Sequence, residues 1–204
     1  MSHIRNNRMK QIIQSGKPAY GVSVQFPSPE IVEMIGELNF DWVMLDAEHG
    51  SITADNIGPM IMAAEIRGLT PIVRPENNDP SVINKYLDRG AMGVQVPHIN
   101  TADEARAVVD ACLYHPQGMR GLGGGRMADF GWGSPVSEYV KTANSEMLVC
   151  VQIEDVIAVE NLDEILNVPN IDAVSYTHLR AHETRHDLVC SLLLEKKKGG
   201  GGGG

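Results

Sequence analysis

Short apolar runs rich in β-branched residues recur along the first 174 residues and alternate with longer amphipathic segments. Runs of this kind, bounded by turn residues, are typical of strands that are buried on both faces. The pattern predicts strands at residues 19–25, 40–46, 70–74, 93–96 and 148–153, and a sixth strand that begins at Ile171. Strands that alternate with helices predict repeated βα units and a parallel sheet.

Residues that favour the beginnings and ends of helices stand between the predicted strands. A capping side chain followed by proline suits a first helical turn, and glycine suits the residue after a last turn. The candidate starts are Ser28-Pro29, Asp79-Pro80 and a capping box at residues 101–104, and the candidate ends are Gly68 and Gly90. These signals place the helices independently of the hydrophobic pattern.

Polar side chains stand at the carboxyl ends of several successive predicted strands. They are Gln25, residues 46–49, Arg74, His98, Gln152 and Glu154. An active site built from many strand ends is typical of a (β/α)8 barrel, whereas an open sheet binds its ligand at one switch point. No GxGxxG motif follows the first strand, which disfavours a dinucleotide-binding fold. The sequence therefore predicts an α/β TIM barrel that is incomplete, with about five and a half of its eight βα units.

Composition narrows the possible partners. The chain has a formal net charge of −9, and residues 1–174 alone carry 12 basic and 23 acidic residues, for a net charge of −11. Nucleic acid is therefore not an expected partner. No apolar run approaches the roughly 18 residues of a membrane helix, so no membrane partner and a cytoplasmic location are expected. The three cysteines do not indicate a disulfide framework.

Two strand ends carry candidate catalytic chemistry. The loop at residues 46–50 reads Asp-Ala-Glu-His-Gly. A carboxylate in such a loop can orient an imidazole, which makes His49 a candidate proton shuttle; the alternative is a solvated acidic loop. Arg74 ends an apolar strand, where its guanidinium would need an anionic partner. That partner is either the carboxylate of a substrate or a structural one, Asp46 or Glu154.

A third strand end carries a candidate metal ligand. Gln152 and Glu154 are two residues apart, so they share a face of a strand, and that face should be the interior of the barrel. A carboxylate there is a candidate ligand for a hard divalent cation.

Several linked motifs of this chain resemble the HpcH/HpaI aldolase family, which comprises class II aldolases of 2-keto-3-deoxy sugar acids and hydroxy-ketoacids. The motifs are GVSVQFPSPEIVEM, DWVMLDAEHG, PIVRP, GAMGVQVPHINTADEARAVV, GMRG and VQIED. The resemblance covers residues 17–174. It implies a TIM barrel of the phosphoenolpyruvate/pyruvate type that reversibly cleaves a 4-hydroxy-2-ketoacid into pyruvate and an aldehyde. It also implies Mg, Mn or Co as cofactor and a homo-oligomer, either a hexamer or a trimer.

The resemblance also implies roles for individual residues. His49 matches the catalytic histidine, and Asp46 orients it. Arg74 matches the arginine that holds the keto oxygen of pyruvate and stabilises the enolate. Glu154 matches a metal ligand, and Gln152 lines the site beside it. No lysine stands at a strand end, which disfavours a Schiff-base mechanism of class I.

Two further residues matter for the comparison with the family. Asp88 matches a carboxylate that reaches the site of a neighbouring subunit in relatives. Relatives continue after the sixth strand with a GPxDL-like segment whose aspartate is a second metal ligand. Here Arg180 stands about where that aspartate belongs, so the second carboxylate ligand is expected to be missing and the chain as written to be inactive.

Two other functions remain as alternatives at this point. An acyl-CoA lyase of the citrate-lyase or malyl-CoA type shares the barrel and the metal chemistry, but it would need a basic surface for the phosphates of CoA. A non-catalytic barrel that binds a sugar acid would not need a proton shuttle.

The last thirty residues do not continue the βα pattern. Residues 175–204 end in three lysines and six glycines and resemble translated adapter read-through. We expect two segments: a partial aldolase domain at residues 1–174 and a non-native tail at residues 175–204. The tail contains an HExxH motif at residues 182–186, with His178 one turn earlier, but no fold follows it that could complete a zinc site.

Overall fold

The computed structural model describes residues 5–176 and 191–193. The strands are β1 (Gly21–Val24), β2 (Trp42–Asp46), β3 (Thr70–Arg74), β4 (Gly93–Val96), β5 (Leu148–Ile153), β6 (Ala173–Tyr176) and β7 (Ser191–Leu193). The helices are α1 (Arg8–Gln14), α2 (Pro29–Glu37), α3 (Gly58–Ile66), α4 (Pro80–Leu87), α5 (Ala102–Cys112), α6 (Val136–Glu146), α7 (Val156–Glu160) and α8 (Leu162–Leu166), with a 3-10 segment at Arg126–Gly131. The HExxH motif and Arg180 lie outside the described residues.

The strands form one sheet in the order of the sequence. β1 to β6 are parallel, each paired with the next, and β7 pairs antiparallel with β6. A doubly wound sheet reverses its strand order at a switch point, whereas the wall of a barrel does not. Six consecutive parallel strands therefore form a curled half-barrel, and the predicted incomplete TIM barrel is confirmed.

The predicted capping residues and glycines lie at the ends of the helices. Ser28 Oγ accepts the backbone N–H of Ile31, and the capping box at residues 101–104 is present with both of its hydrogen bonds. Gly68 and Gly90 follow α3 and α4 with φ of +71° and +106°, a conformation that strains other residues. The strands at 70–74, 93–96 and 148–153 match β3, β4 and β5, while β1, β2 and β6 each begin two residues later than predicted.

Two apolar layers hold the sheet. The larger core lies between the outer face of the strands and helices α2 to α5, and it includes Val43 and Leu45 of β2. The smaller cluster lies on the other face of the same strands; it contains Met9, Trp42, Met44, Ile72, Leu148, Cys150 and Ala173. Alternate residues of β2 thus enter different layers, as the period of a strand requires.

Helix α1, which the hydrophobic pattern did not predict, closes the amino-terminal end of this inner face. The backbone N–H of Met9 donates to Thr70 Oγ1 (3.1 Å) at the start of β3. Asn7 Nδ2 donates to the carbonyl oxygens of Met92 (3.0 Å) and Glu146 (2.8 Å), just before β4 and β5. The inner face is therefore apolar and covered at one end. Among the described residues, no helix is long and apolar enough to cross a membrane.

Candidate active site

Three predicted site residues lie on the inner face of the sheet, because side chains alternate between the two faces along a strand. Asp46 follows Met44 by two residues, Arg74 follows Ile72 by two, and Gln152 follows Cys150 by two. Each therefore shares the face of an inner-layer residue, but at the carboxyl end of its strand, away from α1. β2, β3 and β5 thus place a carboxylate, a guanidinium and an amide at one edge of the half-barrel.

Asp46 and Arg74 form a bidentate ion pair across neighbouring strands. They are register partners in the ladder between β2 and β3. Arg74 Nε donates to Asp46 Oδ1 (2.9 Å), and Arg74 Nη2 donates to Asp46 Oδ2 (2.5 Å). The side chain of Asp46 is fully buried, and that of Arg74 is 14% exposed. The pair fixes the plane of the guanidinium at the strand end.

The carboxylate of Asp46 also accepts hydrogen bonds from the loop that follows β2 and from the side chain of Gln25. Oδ1 accepts the backbone N–H groups of Glu48 (3.1 Å) and His49 (3.2 Å), and Oδ2 accepts Gln25 Nε2 (3.1 Å). Burial by itself would raise the pKa of Asp46, but the hydrogen bonds and charge of Arg74 and the N–H of His49 lower it below its usual value. Asp46 is thus ionised and organises the loop at residues 46–50.

The environment of Arg74 keeps it charged. Burial opposes its ionisation, but the hydrogen bonds and the charge of Asp46, followed by the charges of Glu48 and Glu154, raise the pKa of Arg74 above its ordinary value. A guanidinium among three carboxylates is a fixed positive centre in a negative pocket. Its positive charge can stabilise a negative charge that develops on a substrate oxygen, and the guanidinium itself stays protonated.

The carboxylate beside the imidazole of His49 is that of Glu48. His49 Nδ1 lies 3.3 Å from Glu48 Oε2, whereas Asp46 contacts the backbone N–H of His49. Asp46 was expected to orient the histidine, and its contact with His49 is the hydrogen bond from the backbone N–H. The side chain of His49 is 57% exposed, so its imidazole is accessible to a substrate as a proton donor or acceptor.

Glu154 is held from two sides just after β5. Gln152 Nε2 donates to Glu154 Oε1 (2.9 Å), and the backbone N–H of His98 donates to Glu154 Oε2 (3.0 Å). The imidazole of His98 bridges two carboxylates, with Nδ1 3.4 Å from Glu154 Oε2 and Nε2 3.2 Å from Glu48 Oε1. The predicted metal ligand Glu154 therefore stands beside Glu48 and His98, at the same edge as Arg74.

The contacts of Glu48 and His98 were missed from the sequence. Both residues stand in loops, where no strand period indicates which way a side chain points. His98 also has a positive φ of +58°, which turns its backbone N–H and its imidazole toward Glu154. The one available signal was their place at strand ends, beside residues already chosen as candidates.

Asp88 does not join this group. It is the C-terminal cap of α4, which precedes β4, and its side chain pairs with Arg120 (3.2 Å). That end of β4 is the edge that α1 covers, opposite the carboxyl ends of the strands. Within one chain, Asp88 and the glycine-rich loop at residues 118–126 are therefore remote from Arg74 and Glu154.

The residues at the strand ends fit a divalent cation. Gln152 Oε1 is buried and lacks a hydrogen-bond partner, which is uncommon for a buried oxygen atom, whereas Glu48 Oε2 lies 3.2 Å from Arg74 Nε. Asp46, Glu48 and Glu154 together with Arg74 leave this cluster two negative charges in excess when its imidazoles are neutral. Oxygen donors with an excess of negative charge are the ligands that hard divalent ions prefer.

The glycine at the end of the loop leads to a first prediction. A Cβ added at Gly50 would overlap the carbonyl oxygen of Gln25 and lie 2.9 Å from that of Asp46. We expect Gly50→Ala to lower the free energy of unfolding of the chain by about 2 kcal/mol, because backbone atoms must move apart. Gly58→Ala is the matched control, since nothing lies within 4 Å of its added Cβ. Equal thermal unfolding midpoints for the two variants would contradict this packing.

Comparison with known proteins adds independent evidence. The sequence profile described as HpcH/HpaI aldolase/citrate lyase matches residues 20–200. The hydroxypyruvate/pyruvate aldolase of Deinococcus radiodurans is 33% identical over 169 residues, 83% of this chain and 61% of the relative. The 4-hydroxy-2-oxo-heptane-1,7-dioate aldolase of Klebsiella pneumoniae is 36% identical over 169 residues, 83% of this chain and 63% of the relative.

A solved structure agrees with these matches. The HpcH/HpaI aldolase from Desulfitobacterium hafniense superposes with a TM-score of 0.76 at 32% identity, covering 83% of this chain and 65% of that one. The chain spans less than two thirds of the length of the curated relatives named here.

Proposed function

The chain belongs to the HpcH/HpaI aldolase/citrate lyase family, and from this we propose that its strand-end cluster is the site of a metal-dependent pyruvate aldolase. The reaction is the reversible cleavage of a 4-hydroxy-2-ketoacid into pyruvate and an aldehyde. One observation carries the proposal: Arg74, locked by Asp46, stands beside Glu48, His49 and Glu154 at one edge of the half-barrel. Relatives at 33 to 36% identity that are named aldolases support the same chemistry.

Cleavage requires a base for the C4 hydroxyl and a stabiliser for the charge that develops on the C2 oxygen. His49 takes the hydroxyl proton, the C3–C4 bond breaks, and its electron pair forms the enolate of pyruvate as the aldehyde leaves. Arg74 donates to the C2 oxygen, where the negative charge collects. Return of a proton to C3 completes pyruvate. Each of these side chains is already oriented by a neighbour in the structure.

Glu154 would hold Mg, Mn or Co, with Gln152 fixing the orientation of its carboxylate. When bound, such an ion supplies Lewis acidity that polarises the C2 carbonyl. The negative excess of the cluster supports a divalent ion there. The aldolase names of the relatives, together with an acidic chain, favour this function over an acyl-CoA lyase.

Activity is best tested in a protein that has all eight βα units. We call it the completed barrel: residues 1–174 of this chain followed by the part of the Klebsiella pneumoniae relative that begins within its own sixth strand, at the position that aligns with residue 175. Its design rests on our proposal that residues 1–174 are the aldolase segment and residues 175–204 a non-native tail. The 204-residue chain is assayed in parallel.

Exchange of the methyl protons of pyruvate in deuterated water reports formation of the enolate without an aldehyde. We expect the completed barrel to catalyse this exchange, and a chelator to reduce the rate to background until Mg, Mn or Co is restored. Borohydride added with pyruvate should leave no covalent adduct, because no Schiff base forms. Exchange that survives chelation, or a borohydride-trapped lysine, would overturn the proposed mechanism.

Cleavage of ketoacids then separates this function from simple binding. A barrel that only binds sugar acids would bind pyruvate analogues without any exchange at the methyl group. Release of pyruvate from 4-hydroxy-2-oxo-heptane-1,7-dioate, coupled to lactate dehydrogenase, measures the full reaction. Exchange without cleavage of any 4-hydroxy-2-ketoacid would restrict the proposal to enolisation.

A further inference from the structure

A cavity of about 70 Å³ lies at the amino-terminal ends of β4 and β5, at the end of the half-barrel that α1 covers. Its wall includes Met92, which precedes β4, Met147, which precedes β5, and Arg120 from the connection between α5 and α6. We propose that this cavity binds a small monocarboxylate with an apolar chain, and that Arg120 holds its carboxylate. The cavity and the strand-end cluster lie at opposite ends of the strands, so the inference goes beyond the proposed aldolase reaction and does not depend on it.

The guanidinium of Arg120 is buried with little to balance its charge. The side chain is only 2% exposed, and its Nη2 donates to Asp88 Oδ1 at 3.2 Å. The side chain of Asp88 is 52% exposed, so water solvates much of its charge. Nε of Arg120 is also buried, and it has no hydrogen-bond partner among the described residues. Because buried charges and their N–H groups are normally paired, Arg120 has room for a further acceptor.

Tyr114 fixes the plane of this guanidinium. Cζ of Arg120 lies over the buried ring of Tyr114, 4.9 Å from the ring centroid. The ring of Tyr114 in turn meets that of Tyr139, a residue of the cavity wall, edge to face at 5.8 Å. In a guanidinium, Nε and Nη2 form a planar fork that matches the two oxygen atoms of a carboxylate. Asp88 accepts only from Nη2, so a ligand that took both donors would replace it, and Asp88 is exposed enough to turn toward water.

The other charged residues of the wall already have partners. They are Arg5, Asp129 and Glu146. Nε of Arg5 lies 2.8 Å from Glu65 Oε1, and its Nη2 lies 3.5 Å from Asp129 Oδ1. Glu146 Oε2 accepts the backbone N–H of the residue that caps α1, at 2.5 Å. Arg120 is therefore the least balanced charge of the wall, which favours an anion over a cation in the cavity.

The uncharged part of the wall is mainly apolar, and it sets the kind of anion. It includes Leu87, Met92, Met127 and Ala143. An inorganic anion would need polar partners on every side, whereas a short alkyl chain gains free energy when these side chains cover it. One water molecule needs about 10–15 Å³ of a cavity, so this cavity has room for a ligand of roughly five or six non-hydrogen atoms. Butyrate has this size and is the probe.

The test measures the binding of butyrate to the full 204-residue chain by saturation-transfer NMR, at constant ionic strength and with a chelator present. We expect saturable binding with a dissociation constant of about 1 mM. Butyramide has nearly the same shape without the charge, and butylamine has the opposite charge. Both should bind at least about tenfold more weakly than butyrate, because neither can accept two charge-assisted hydrogen bonds from Arg120.

Substitutions of the guanidinium and of its partner test the role of charge. Arg120→Met removes the charge and keeps an unbranched apolar side chain, so butyrate should bind at least about tenfold more weakly. Asp88→Asn removes the competing carboxylate, so butyrate should bind at least about twofold more tightly. Arg67→Met is the control, because Arg67 pairs with Glu33 and Glu37 on the outer surface and does not line the cavity; its affinity should stay within about twofold.

A second variant tests the cavity without touching Arg120. Ala143 lines the cavity from α6, and leucine is a good helix former, so Ala143→Leu should fill the space and leave the helix intact. We expect it to weaken butyrate binding at least about tenfold, although the guanidinium is still present. Circular dichroism and thermal unfolding without ligand show whether each variant is folded, and Ala143→Leu decides the result if Arg120→Met is not.

Four outcomes would overturn the inference. Without saturable binding of butyrate to the parent chain there is no site. Equal affinities for butyrate and butyramide would remove the role of the charge. Butyrate binding that survives Ala143→Leu would place the ligand outside the cavity, and binding that is lost in Arg74→Met but kept in Arg120→Met would place it at the strand ends. Each result is obtained without a divalent metal or a ketoacid, so it is independent of whether the completed barrel is an aldolase.

Discussion

Arg74→Lys should lower the rate of pyruvate proton exchange by the completed barrel by a factor of about 10² to 10³, the cost typical of one lost transition-state donor. Lysine keeps the positive charge, but its three N–H donors all stand on one nitrogen atom and do not form the planar fork of a guanidinium. From one nitrogen atom it cannot reproduce the two parallel hydrogen bonds of Arg74 to Asp46, at 2.9 and 2.5 Å, and keep a donor at the position where Arg74 would face the C2 oxygen of a substrate. The loss should fall mainly on kcat, because the charge that Arg74 meets develops during the reaction.

Stability separates the catalytic role of Arg74 from its structural role. Arg74→Met leaves the buried carboxylate of Asp46 without its cation, which commonly costs about 3 to 5 kcal/mol of unfolding free energy. Arg74→Lys should cost less, because a cation remains. Denaturant unfolding of both variants, set beside their exchange rates, shows whether activity falls more steeply than stability.

Arg67→Lys is the matched control for this substitution. Arg67 pairs with Glu33 and Glu37 on the outer surface, where its side chain is 37% exposed. An exposed pair is worth roughly 0 to 1 kcal/mol, so both stability and exchange should remain close to those of the parent. If Arg74→Lys behaved like Arg67→Lys in exchange, Arg74 would be only the structural partner of Asp46.

The positions of Asp46, Arg74 and Gln152 could be predicted because they lie within strands. A strand has a period of two, so one inward residue fixes the others, and the carboxyl ends of parallel strands meet at one edge. The same rules predicted a barrel wall instead of a reversed sheet. The boundaries were less certain, because β1 and β2 each begin two residues later than the apolar runs.

The contacts of Glu48 and His98 could not be predicted by these rules. The loop Asp-Ala-Glu-His-Gly contains two carboxylates, and the family resemblance assigned the imidazole to Asp46. In the fold, Arg74 donates hydrogen bonds to the carboxylate of Asp46. The carboxylate next to the imidazole of His49 is that of Glu48. This outcome depends on the register of β2 with β3, which brings Arg74 beside Asp46. Helix α1 was missed because its few apolar residues form no recognisable pattern at its length.

Asp46→Asn should destabilise the completed barrel by about 3 to 5 kcal/mol at pH 7 and should also reduce exchange strongly. The neutral amide leaves Arg74 without its buried anion and offers N–H groups where oxygen atoms accepted hydrogen bonds. Asp55→Asn is the control, because the side chain of Asp55 is 98% exposed and pairs with Arg89 only at 3.6 Å. Its effect should be within about 1 kcal/mol.

The pH dependence of this difference tests its electrostatic origin. The pKa of Asp46 is lowered in the folded protein, with Arg74 as the main lowering cause against the opposing effect of burial. A lowered folded pKa contributes stability that is fully present above the unfolded value of about 4 and is lost as the pH falls toward the folded value. The difference in unfolding free energy between the parent and Asp46→Asn should therefore be constant between about pH 5 and pH 7 and shrink below about pH 4. A difference that stays constant on acidification would mean that packing of the amide, and not the ion pair with Arg74, sets the cost of the substitution.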